Sequence, residues 1–492
     1  MNVLLVYPKF PDTFWSFKYA LEFVGKRAAL PPLGLLTVAA MLPREWSLRL
    51  VDTNVRKLTA DDLAWADCAF ISAMVVQRDS ARTLADRCKA AGLRVVAGGP
   101  LFTSEHDQFA TVDHFVLNEA ELTLPPFLDD LAHGHPKRVY ASGAFADLGQ
   151  TPAPRWELLD LKRYASMSIQ FSRGCPFNCD FCNVTALLGH RVRIKTTAQI
   201  ISELDRLYAL GWRSDVFFVD DNFIGNKHFL KTDLLPALIA WRQNKEGNVF
   251  FTEASMNLVD DPQLMDLMVR AGFTKVFIGI ETPDEACLAE CSKGQNGNRD
   301  LVEDVRRIQR AGLQVQGGFI VGFDHDQSSI FQRQIDFIQK SGIVTAMVGL
   351  LQAPAGTRLH ARMAKEGRLC AEFSGDNVDG TTNIIPVMSA QLLTEGYRRI
   401  LDHIYSPAPY YQRVRTFLRE YRAPLVRVRF QFADLLTIAR SVYRIGFLGR
   451  ERYQYWKLLL WTQFRRPRLL TQAITLAIYG YHFRKTCERH VA

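Results

Sequence analysis

The sequence predicts an α/β protein with an N-terminal doubly wound (Rossmann-like) sheet, a central partial (β/α)6 barrel of the TIM type and a helical C-terminal extension. Short, continuously apolar runs alternate with helical patterns through the first 130 residues, as in a doubly wound parallel sheet. Six further strand–helix units follow, and then only helical periodicity remains. We expect the domains at 1–135, 166–360 and 361–492, with a linker at 136–165.

Composition places the chain among ordinary globular proteins. It has 492 residues, 48% hydrophobic and 23% charged, which is enough for two or three domains. Nine cysteines, three of them clustered, indicate a reducing compartment rather than a disulfide framework. The apolar start runs straight into Pro8, and the apolar run 469–481 is too short and too polar to span a bilayer. We expect a cytoplasmic protein.

The positive charge is concentrated near the C-terminus. The net charge is +9, but the residues from Pro407 onward hold 17 Lys and Arg against four Asp and Glu. The basic balance therefore belongs to the helical extension and not to the two α/β regions.

The first region reads as strands separated by helices. The predicted strands are 2–7, 48–52, 68–74, 94–97 and 114–117, and the predicted helices are 33–42, 61–66, 80–91 and one from about Glu121. Ligands of such sheets bind beyond the carboxyl ends of the strands. Those ends carry Tyr7-Pro8-Lys9, Asp52-Thr53-Asn54, Ser72-Ala73-Met74 and Gly98-Gly99-Pro100.

None of these strand ends is a G-x-G-x-x-G dinucleotide fingerprint, so a nicotinamide cofactor has no support. Gly98 and Gly99 permit close approach of the backbone to a large flat ligand, or they form a plain glycine turn.

A proline-broken connector at 150–156 leads into the central region. Its predicted strands are 168–171, 216–219, 249–252, 275–279, 315–321 and 345–351, and its predicted helices are 198–210, 227–241, 264–271, 298–311 and 330–341. The loop after the first of these strands holds the most informative motif of the chain.

That loop reads Cys175-Pro176-Phe177-Asn178-Cys179-Asp180-Phe181-Cys182. Cysteines at C-x3-C-x2-C spacing supply three thiolates for a [4Fe–4S] cluster and leave one iron without a protein ligand. The alternatives are a three-cysteine zinc site or ordinary buried cysteines. Zinc loops usually pair two C-x2-C arms, and no second arm is present.

The ends of the later strands carry carboxylates, an amide, a hydroxyl and glycines, which suit an ammonium group, ribose hydroxyls and a flat ring. They are Asp220-Asp221-Asn222, Glu253-Ala254-Ser255, Gly279-Ile280-Glu281, Gly322-Phe323-Asp324 and Gln352-Ala353-Pro354. Each side chain taken alone fits a capping or salt-bridge role equally well. Arg191 and Arg193, just after the cysteine loop, either steady the negative charge of a cluster or form a solvated basic turn, and we expect the turn.

The cysteine loop, with the aromatic Phe181 before its third cysteine, resembles that of the radical SAM enzymes. In that family the open iron binds S-adenosylmethionine, and reduction of the cluster gives a 5′-deoxyadenosyl radical. The resemblance implies Cys175, Cys179 and Cys182 as cluster ligands. It implies contacts with S-adenosylmethionine at Asp221, Glu253, Ser255, Glu281 and Gly322.

The first region is similar to the cobalamin-binding domain that precedes the radical SAM domain in one class of that family. The similarity runs through Leu5-Val6-Tyr7-Pro8, Pro31-Pro32-Leu33-Gly34-Leu35, Val51-Asp52-Thr53-Asn54, Ser72-Ala73-Met74 and Gly98-Gly99-Pro100. It implies cobalamin contacts at Asp52, Asn54, Ser72, Gly98 and Gly99.

The chain departs from other cobalamin proteins in one respect: D-x-H-x-x-G is absent and the first histidine is His106. Bound cobalamin is therefore expected base-off and without a histidine below the cobalt. The alternative is a sheet that has kept its fold and lost the cofactor.

The last region predicts helices at 390–405, 412–421, 425–445, 454–464 and 469–483, after a polar loop at 375–383 that either covers the substrate or only connects. Arginines there alternate with aromatic residues, which fits a solvated basic helical bundle, a peripheral contact with anionic lipid or, less well, a nucleic-acid surface. These residues are Arg427, Arg429, Phe430, Phe432, Arg440, Tyr443, Arg444, Tyr453, Tyr455, Trp456, Trp461, Phe464, Arg465 and Arg466.

Together the motifs predict a cobalamin-dependent radical SAM enzyme, a C-methyltransferase that acts on an unactivated carbon of an apolar lipid, tetrapyrrole or natural product. The resemblance implies a small-molecule substrate, an electron donor such as flavodoxin or ferredoxin, and no nucleic acid. The alternatives are a radical SAM cyclase or rearrangement enzyme without methyl transfer, and a non-catalytic cofactor-binding sensor.

Overall fold

Two parallel six-stranded sheets form the framework of the protein in a computed structural model that describes residues 1–376, 378–424 and 432–490. The first sheet has the strand order β2-β1-β3-β4-β5-β6, and each of its pairings is parallel. Its strands are β1 (Asn2–Tyr7), β2 (Ser47–Asp52), β3 (Cys68–Ser72), β4 (Arg94–Gly98), β5 (His114–Val116) and β6 (Val139–Tyr140).

Helices cover both faces of this sheet, because its strands are apolar on both sides and form two separate cores. The strand order reverses between β1 and β3, which is the point where doubly wound sheets bind ligands. The helices are α1 (Lys18–Val24), α2 (Leu33–Met41), α3 (Ala60–Trp65), α4 (Arg78–Ala90), α5 (Pro100–Glu105) and α6 (Ala120–Ala132).

The second sheet is an open barrel with the strand order β14-β13-β12-β11-β10-β7, again entirely parallel. Two short antiparallel strands, β8 and β9, flank the cysteine loop. The strands are β7 (Met167–Ile169), β8 (Ser172–Arg173), β9 (Arg193–Ile194), β10 (Val216–Phe218), β11 (Phe250–Glu253), β12 (Phe273–Glu281), β13 (Gln314–Val321) and β14 (Ala346–Leu350).

The helices that follow these strands pack outside the barrel. They are α7 (Val184–Leu188), α8 (Thr197–Ala209), α9 (Lys227–Phe229), α10 (Leu235–Gln243), α11 (Pro262–Ala271), α12 (Glu285–Glu290), α13 (Leu301–Ala311), α14 (Ile330–Ser341) and α15 (Arg358–Lys365). Five more form the C-terminal layer: α16 (Ala390–Tyr405), α17 (Pro407–Glu420), α18 (Phe432–Ser441), α19 (Arg452–Arg465) and α20 (Leu470–His490). No helix in the described ranges is long and apolar enough to cross a membrane.

The segment after β1 closes the open side of the barrel. Trp15 donates its indole N–H to the sulfur of Met347 on one edge strand, β14, at 3.0 Å. Ala28 pairs with Tyr164, which lies just before the other edge strand, β7. The residues between these two contacts therefore span the gap that six strands leave in a barrel.

The C-terminal helices share one continuous hydrophobic core with the barrel and with this segment. Phe14 stacks on Phe483 of α20, with ring centroids 4.1 Å apart. His482 is buried beside them and donates a ring N–H to the carbonyl of Phe14 at 3.0 Å. The helical extension is thus packed into the fold along its length.

The predicted fold class is confirmed, including the doubly wound sheet, the six-stranded partial barrel and the C-terminal helices. The sequence patterns missed five helices, α1, α5, α7, α12 and α15. The first belongs to a segment stabilised by distant contacts, and the other four are only five to eight residues long. The predicted helix 425–445 begins outside the described residues; the structure shows α18 and a wider helical turn at Val442–Phe447. The division into domains stays a prediction.

Replacing Phe483 with alanine tests whether the extension supports the barrel. Phe483 is fully buried, so we expect Phe483→Ala to lower the free energy of unfolding by about 3–5 kcal/mol. Thermal unfolding of the full chain measures the change. Phe464→Ala is the matched control, because this ring is 81% exposed and its loss should change stability by less than about 0.5 kcal/mol. Equal effects of the two variants would contradict the shared core.

Candidate functional site

The cysteine loop leaves the carboxyl end of the first barrel strand and returns through the β8–β9 pair. Gly174 opens it with a left-handed φ of +92°, and a Cβ atom there would lie 2.6 Å from the carbonyl oxygen of Arg191. Only glycine permits this approach. The three predicted ligands Cys175, Cys179 and Cys182 follow in this loop, all partly exposed.

Neighbouring elements hold the loop from two sides. The amide of Asp180 donates to the carbonyl of Cys291 at 3.1 Å, and Asp180 accepts through its own carbonyl from Leu359 at 2.9 Å. Arg358 forms an ion pair with the Asp180 carboxylate and donates to the carbonyl of Asn178. The backbone between the cysteines is therefore fixed by protein contacts alone.

The protein around the cysteines favours the neutral thiol over the free thiolate when no cluster is bound. Burial raises the pKa of Cys175 and raises that of Cys182 to about 12, while the nearby Lys293 lowers both. Gln295 places its amide nitrogen 3.8 Å from the sulfur of Cys179. Within the described ranges no three His, Cys, Asp or Glu residues lie close enough to share one metal ion. A [4Fe–4S] cluster does not require three ligands around one ion, because each thiolate binds a different iron.

Asp220 connects the second barrel strand to the start of this loop. Its buried carboxylate accepts from the amide of Phe171 at 3.1 Å and from the amide and hydroxyl of Ser172, the hydroxyl at 2.6 Å. Burial nevertheless raises the pKa of Asp220 to about 7. Asp220 thus has a structural role, and its neighbour Asp221 faces the site.

Asp221 and Glu253 form a pair of carboxyl groups at the mouth of the barrel. Burial raises the pKa of Asp221 to about 6, and burial together with Asp221 and Asp220 raises that of Glu253 to about 8. Both keep accessible surface although protein surrounds them, so they line a concave space. Among the described residues, Glu253 has no hydrogen-bond or ion-pair partner. A ligand with a cationic group or hydroxyl groups would supply hydrogen-bond donors to these carboxyl groups.

Of the other two predicted polar contacts, Ser255 follows the same strand as Glu253, β11, and Glu281 ends β12. The Ser255 hydroxyl donates to Asn257 at 2.6 Å, and its amide donates to Asn222 at 3.2 Å. Glu281 has a left-handed φ of +65°, a strained conformation for this residue type. Its carboxylate pairs with Lys293 at 2.7 Å.

Lys293 was not found by sequence reasoning. It lies in the turn after α12, outside any strand end, and only the fold brings it beside Glu281, Cys179 and Cys182. Gly322 differs from the other predicted contacts, because its N–H already donates to Asp326 at 2.7 Å. Its assignment, like those of Asp221, Glu253, Ser255 and Glu281, stays a prediction.

At the edge of the first sheet, Asp52 and Asn54 are occupied by internal hydrogen bonds. The Asp52 carboxylate accepts from Tyr164 at 2.9 Å and from the Asn54 side chain at 2.7 Å, and burial raises its pKa. Asn54 also donates to the carbonyl of Pro8 at 3.1 Å. These two residues fix the loop after β1 and leave no side-chain group directed outward.

Ser72 and Gly99 adjoin each other at the ends of β3 and β4. Gly99 has φ +93°, and a Cβ atom there would lie 2.7 Å from the Ser72 hydroxyl. Gly98 and Gly99 are half-buried, so their backbone borders open space at this edge. The ends of β3 and β4 thus present a hydroxyl and peptide groups.

Four charged residues join the edges of the two sheets. Arg193 of β9 binds Glu119 with two hydrogen bonds of 2.7 and 2.6 Å. Arg173 of β8 binds Glu121 with bonds of 3.0 and 2.8 Å. Both glutamates follow the carboxyl end of β5. The carboxyl edges of the two sheets therefore face each other across the cysteine loop.

The expected solvated basic turn is wrong for Arg193. Its side chain is only 14% exposed because it pairs with a buried glutamate of the first domain. Sequence spacing could not reveal this pairing, since the partners are 74 positions apart.

The polar loop at 375–383 bridges the two sheets at another place. Gln352, at the end of β14, donates to the carbonyls of Asp376 and Thr381 at 3.1 and 3.2 Å. Arg78 of α4 pairs with Glu105 and donates to the carbonyl of Phe373 at 2.9 Å. The loop therefore borders the space between the sheets; Asn377 lies outside the described residues.

Aromatic side chains line the inside of the barrel below this mouth. Phe217 and Phe251 occupy paired positions of β10 and β11 and stack at 4.7 Å. Phe277 meets the edge of Trp15 at 5.4 Å, and Trp15 contacts Met347. All five are only partly buried, whereas their outward-facing neighbours on the strands are covered by helices. The inside of the barrel below the carboxyl groups is thus a largely apolar chamber, with one charged side chain beside it, Lys275, at 5.1 Å from the Phe251 ring.

Comparison with known proteins agrees with this geometry. The radical SAM superfamily matches residues 169–338, and a domain of unknown function, DUF4070, matches residues 357–492. An uncharacterized methyltransferase of Synechocystis sp. is 42% identical over 98% of this chain and 91% of its own length. The hopanoid C-2 methylase of Rhodopseudomonas palustris is 34% identical over 93% of this chain and 89% of its own.

More distant similarities extend to other methyltransferases and to solved structures. The bacteriochlorophyllide d C-12(1)-methyltransferase of Chlorobaculum tepidum is 25% identical over 72% of this chain and 78% of its own. The cobalamin-dependent radical enzyme OxsB has a TM-score of 0.62 at 13% identity, covering 99% of this chain and 83% of OxsB. The radical SAM methyltransferase TsrM of Kitasatospora setae has a TM-score of 0.60 at 16% identity, covering 93% of this chain and 98% of TsrM. These two structures share the fold.

Glu119→Gln tests the connection between the sheets. The change leaves the Arg193 guanidinium buried without its counter-charge, so we expect a loss of about 3 kcal/mol in the free energy of unfolding. Thermal unfolding of the full chain measures it. The control is Glu157→Gln, whose carboxylate is 40% exposed beside Arg155 and should contribute less than about 1 kcal/mol. Similar losses in both variants would exclude a special role for Glu119.

The raised pKa of Glu253 predicts a pH-dependent stability of the cofactor-free chain. From about pH 4.5 to about 8, the folded state binds this proton and the unfolded state does not, so stability falls as pH rises. Glu253→Gln removes the titration, and the variant should melt above the wild type at pH 8 with little difference at pH 4.5. Scanning fluorimetry of both proteins at both pH values measures the difference in melting temperature. An equal shift at both pH values would show that Glu253 is not held protonated.

Proposed function

This chain belongs to the radical SAM methyltransferase family, and we propose that it is of the cobalamin-binding-domain class and methylates an unactivated carbon of a large apolar substrate with cobalamin as methyl carrier. The family uses a [4Fe–4S] cluster and S-adenosylmethionine. Three features that face one another support the proposal. They are the cysteine loop, the barrel mouth with its carboxyl groups, and the edge of the first sheet at Gly98 and Gly99.

The partnerless carboxyl group of Glu253 is the observation that carries the proposal. A partly exposed carboxyl group at a concave mouth, with a raised pKa and no protein partner in the described ranges, is typical of a ligand-binding position. S-adenosylmethionine brings an ammonium group, a sulfonium and ribose hydroxyls. Asp221, Glu253, Ser255 and Glu281 lie at adjacent strand ends, opposite the cysteines, and would hold these groups.

When bound, these cofactors supply a carbon-centred radical for hydrogen abstraction and a cobalt-carried methyl group. The chain itself supplies positions and charge. Cys175, Cys179 and Cys182 would hold the cluster, and Lys293 would place a positive charge beside it and beside Glu281. The loop at 375–383 would limit water at the junction of the sheets.

Cobalamin would lie along the carboxyl edge of the first sheet. Ser72, Gly98 and Gly99 present hydroxyl and peptide groups that suit the amide-rich rim of a corrin. Asp52 and Asn54 are committed to internal hydrogen bonds, so we assign them to shaping the loop after β1. With no histidine before His106, a lower face without a histidine ligand is expected.

The apolar chamber supports a fused-ring or similarly large hydrocarbon substrate. Phe217, Phe251, Phe277, Trp15 and Met347 offer aromatic and sulfur surface. The charged group beside them, Lys275, is paired with Asp215 at 2.8 Å. The relative that acts on a hopanoid is 34% identical over nearly the whole chain, whereas the bacteriochlorophyllide methyltransferase is 25% identical over a shorter part. We therefore propose a polycyclic lipid ahead of a tetrapyrrole. The reductant is proposed to be a flavodoxin or a ferredoxin.

The decisive experiment is an anaerobic assay of the reconstituted full chain with cobalamin, S-adenosylmethionine, a chemical reductant and a hopanoid hydrocarbon. We expect a product heavier by one methylene unit, together with 5′-deoxyadenosine and S-adenosylhomocysteine. Cys179→Ala should lose bound iron and all three products. Cys370→Ala is the matched control, because Cys370 is exposed and distant in sequence from the cluster loop, and it should retain both iron and activity.

The products also separate the alternatives. 5′-Deoxyadenosine without S-adenosylhomocysteine or a mass gain would overturn methyl transfer and favour a cyclase or rearrangement enzyme. Activity without bound cobalt would overturn the cobalamin assignment.

A further inference from the structure

We propose that α19 and the turn before it form a membrane-docking face that binds anionic lipid. Phe447, Leu448, Tyr453, Trp456, Leu460 and Phe464 define this docking face. They are 63%, 65%, 75%, 37%, 57% and 81% exposed, an unusual density of large apolar groups on a protein surface.

These residues form one continuous strip. Tyr453, Trp456, Leu460 and Phe464 follow the i, i+3, i+7, i+11 spacing of a single helix face. The opposite face of α19, with Tyr455, Leu458 and Thr462, is fully buried against the protein. One face of α19 is thus apolar and buried against the protein, and a second face is apolar and exposed to solvent.

The preceding turn extends the strip. Phe447 meets Trp456 edge-on, with ring centroids 6.2 Å apart. Trp456 donates its indole N–H to the carbonyl of Gly446 at 3.0 Å, which orients its ring beside Phe447. The rings are therefore held in place before any partner arrives.

Basic residues surround the strip. Arg450, Arg452, Lys457, Arg465 and Arg468 are all exposed. The one acidic residue between 447 and 468, Glu451, is buried and bound to Arg484 at 2.9 Å. Arg450 has a loose contact with Glu488 at 3.7 Å. The surface is thus complementary to an anionic partner that also accepts hydrocarbon groups.

An anionic lipid surface fits this combination best. Aromatic rings and leucines enter the headgroup–acyl boundary while arginine and lysine bind lipid phosphates. A second copy of the chain would oppose like charges across the contact, and interface cores are depleted of charge. Nucleic acid would stack on the rings and bind the basic residues, but Leu448 and Leu460 would contribute little to its binding. Arg427, Arg429 and Phe430 lie outside the described residues.

Co-sedimentation of the full, cluster-loaded chain with vesicles tests the proposal. We expect at least tenfold stronger partitioning onto vesicles of phosphatidylglycerol and phosphatidylcholine in equal parts than onto phosphatidylcholine alone. Leu460→Ser with Phe464→Ser should lower partitioning by about tenfold or more, because two exposed apolar anchors are lost. Arg465→Gln with Arg468→Gln should cost about fivefold per charge on the anionic vesicles only.

Leu210→Ser is the matched control, since Leu210 is 43% exposed on the barrel, outside the docking face. It should partition as the wild type does. Unchanged partitioning of the Leu460→Ser, Phe464→Ser variant would overturn the proposal. So would a dimer in solution that this variant dissociates, or retention on single-stranded RNA without vesicle binding. None of these outcomes depends on the methylation proposed above, because neither substrate nor turnover enters the measurement.

Discussion

The carboxyl edges of two parallel sheets face each other, and the charge pairs Arg193–Glu119 and Arg173–Glu121 maintain this arrangement. Parallel sheets bind ligands at that edge, because loops and helix starts converge there. Facing edges therefore bring two ligand sites together at one place. The cysteine loop lies at this junction, since β8 and β9 carry both arginines. Its position depends on the first domain as much as on the barrel.

The site retains unfavourable features that the rest of the fold offsets. Asp220, Asp221 and Glu253 gather three carboxyl groups at one end of the barrel, and the surrounding protein raises the pKa of each. Glu281 adds a left-handed backbone conformation. Such features destabilise a chain with no ligand bound, and they are typical of functional sites.

Closure of the barrel is shared between distant parts of the chain. Six strands leave a gap, which the segment from Trp15 to Ala28 spans, and α20 packs against that segment through Phe483. The same segment places Trp15 in the apolar chamber. A residue near the N-terminus thus lines the proposed substrate site, and the C-terminal helices hold it there.

The sequence by itself determined the fold class and the cluster loop. Apolar strands of a parallel sheet are continuous and short, and C-x3-C-x2-C is a local motif, so both can be read without tertiary contacts. It also located the strand ends that carry Asp221, Glu253 and Glu281. Only the tertiary structure revealed Lys293 beside Glu281, the pairing of Arg193 with Glu119 and the place of Trp15. These contacts join residues that are far apart or outside regular elements, and no periodicity encodes them. Likewise, helical spacing predicted α19, but only packing showed which of its two apolar faces is buried and which is left to solvent.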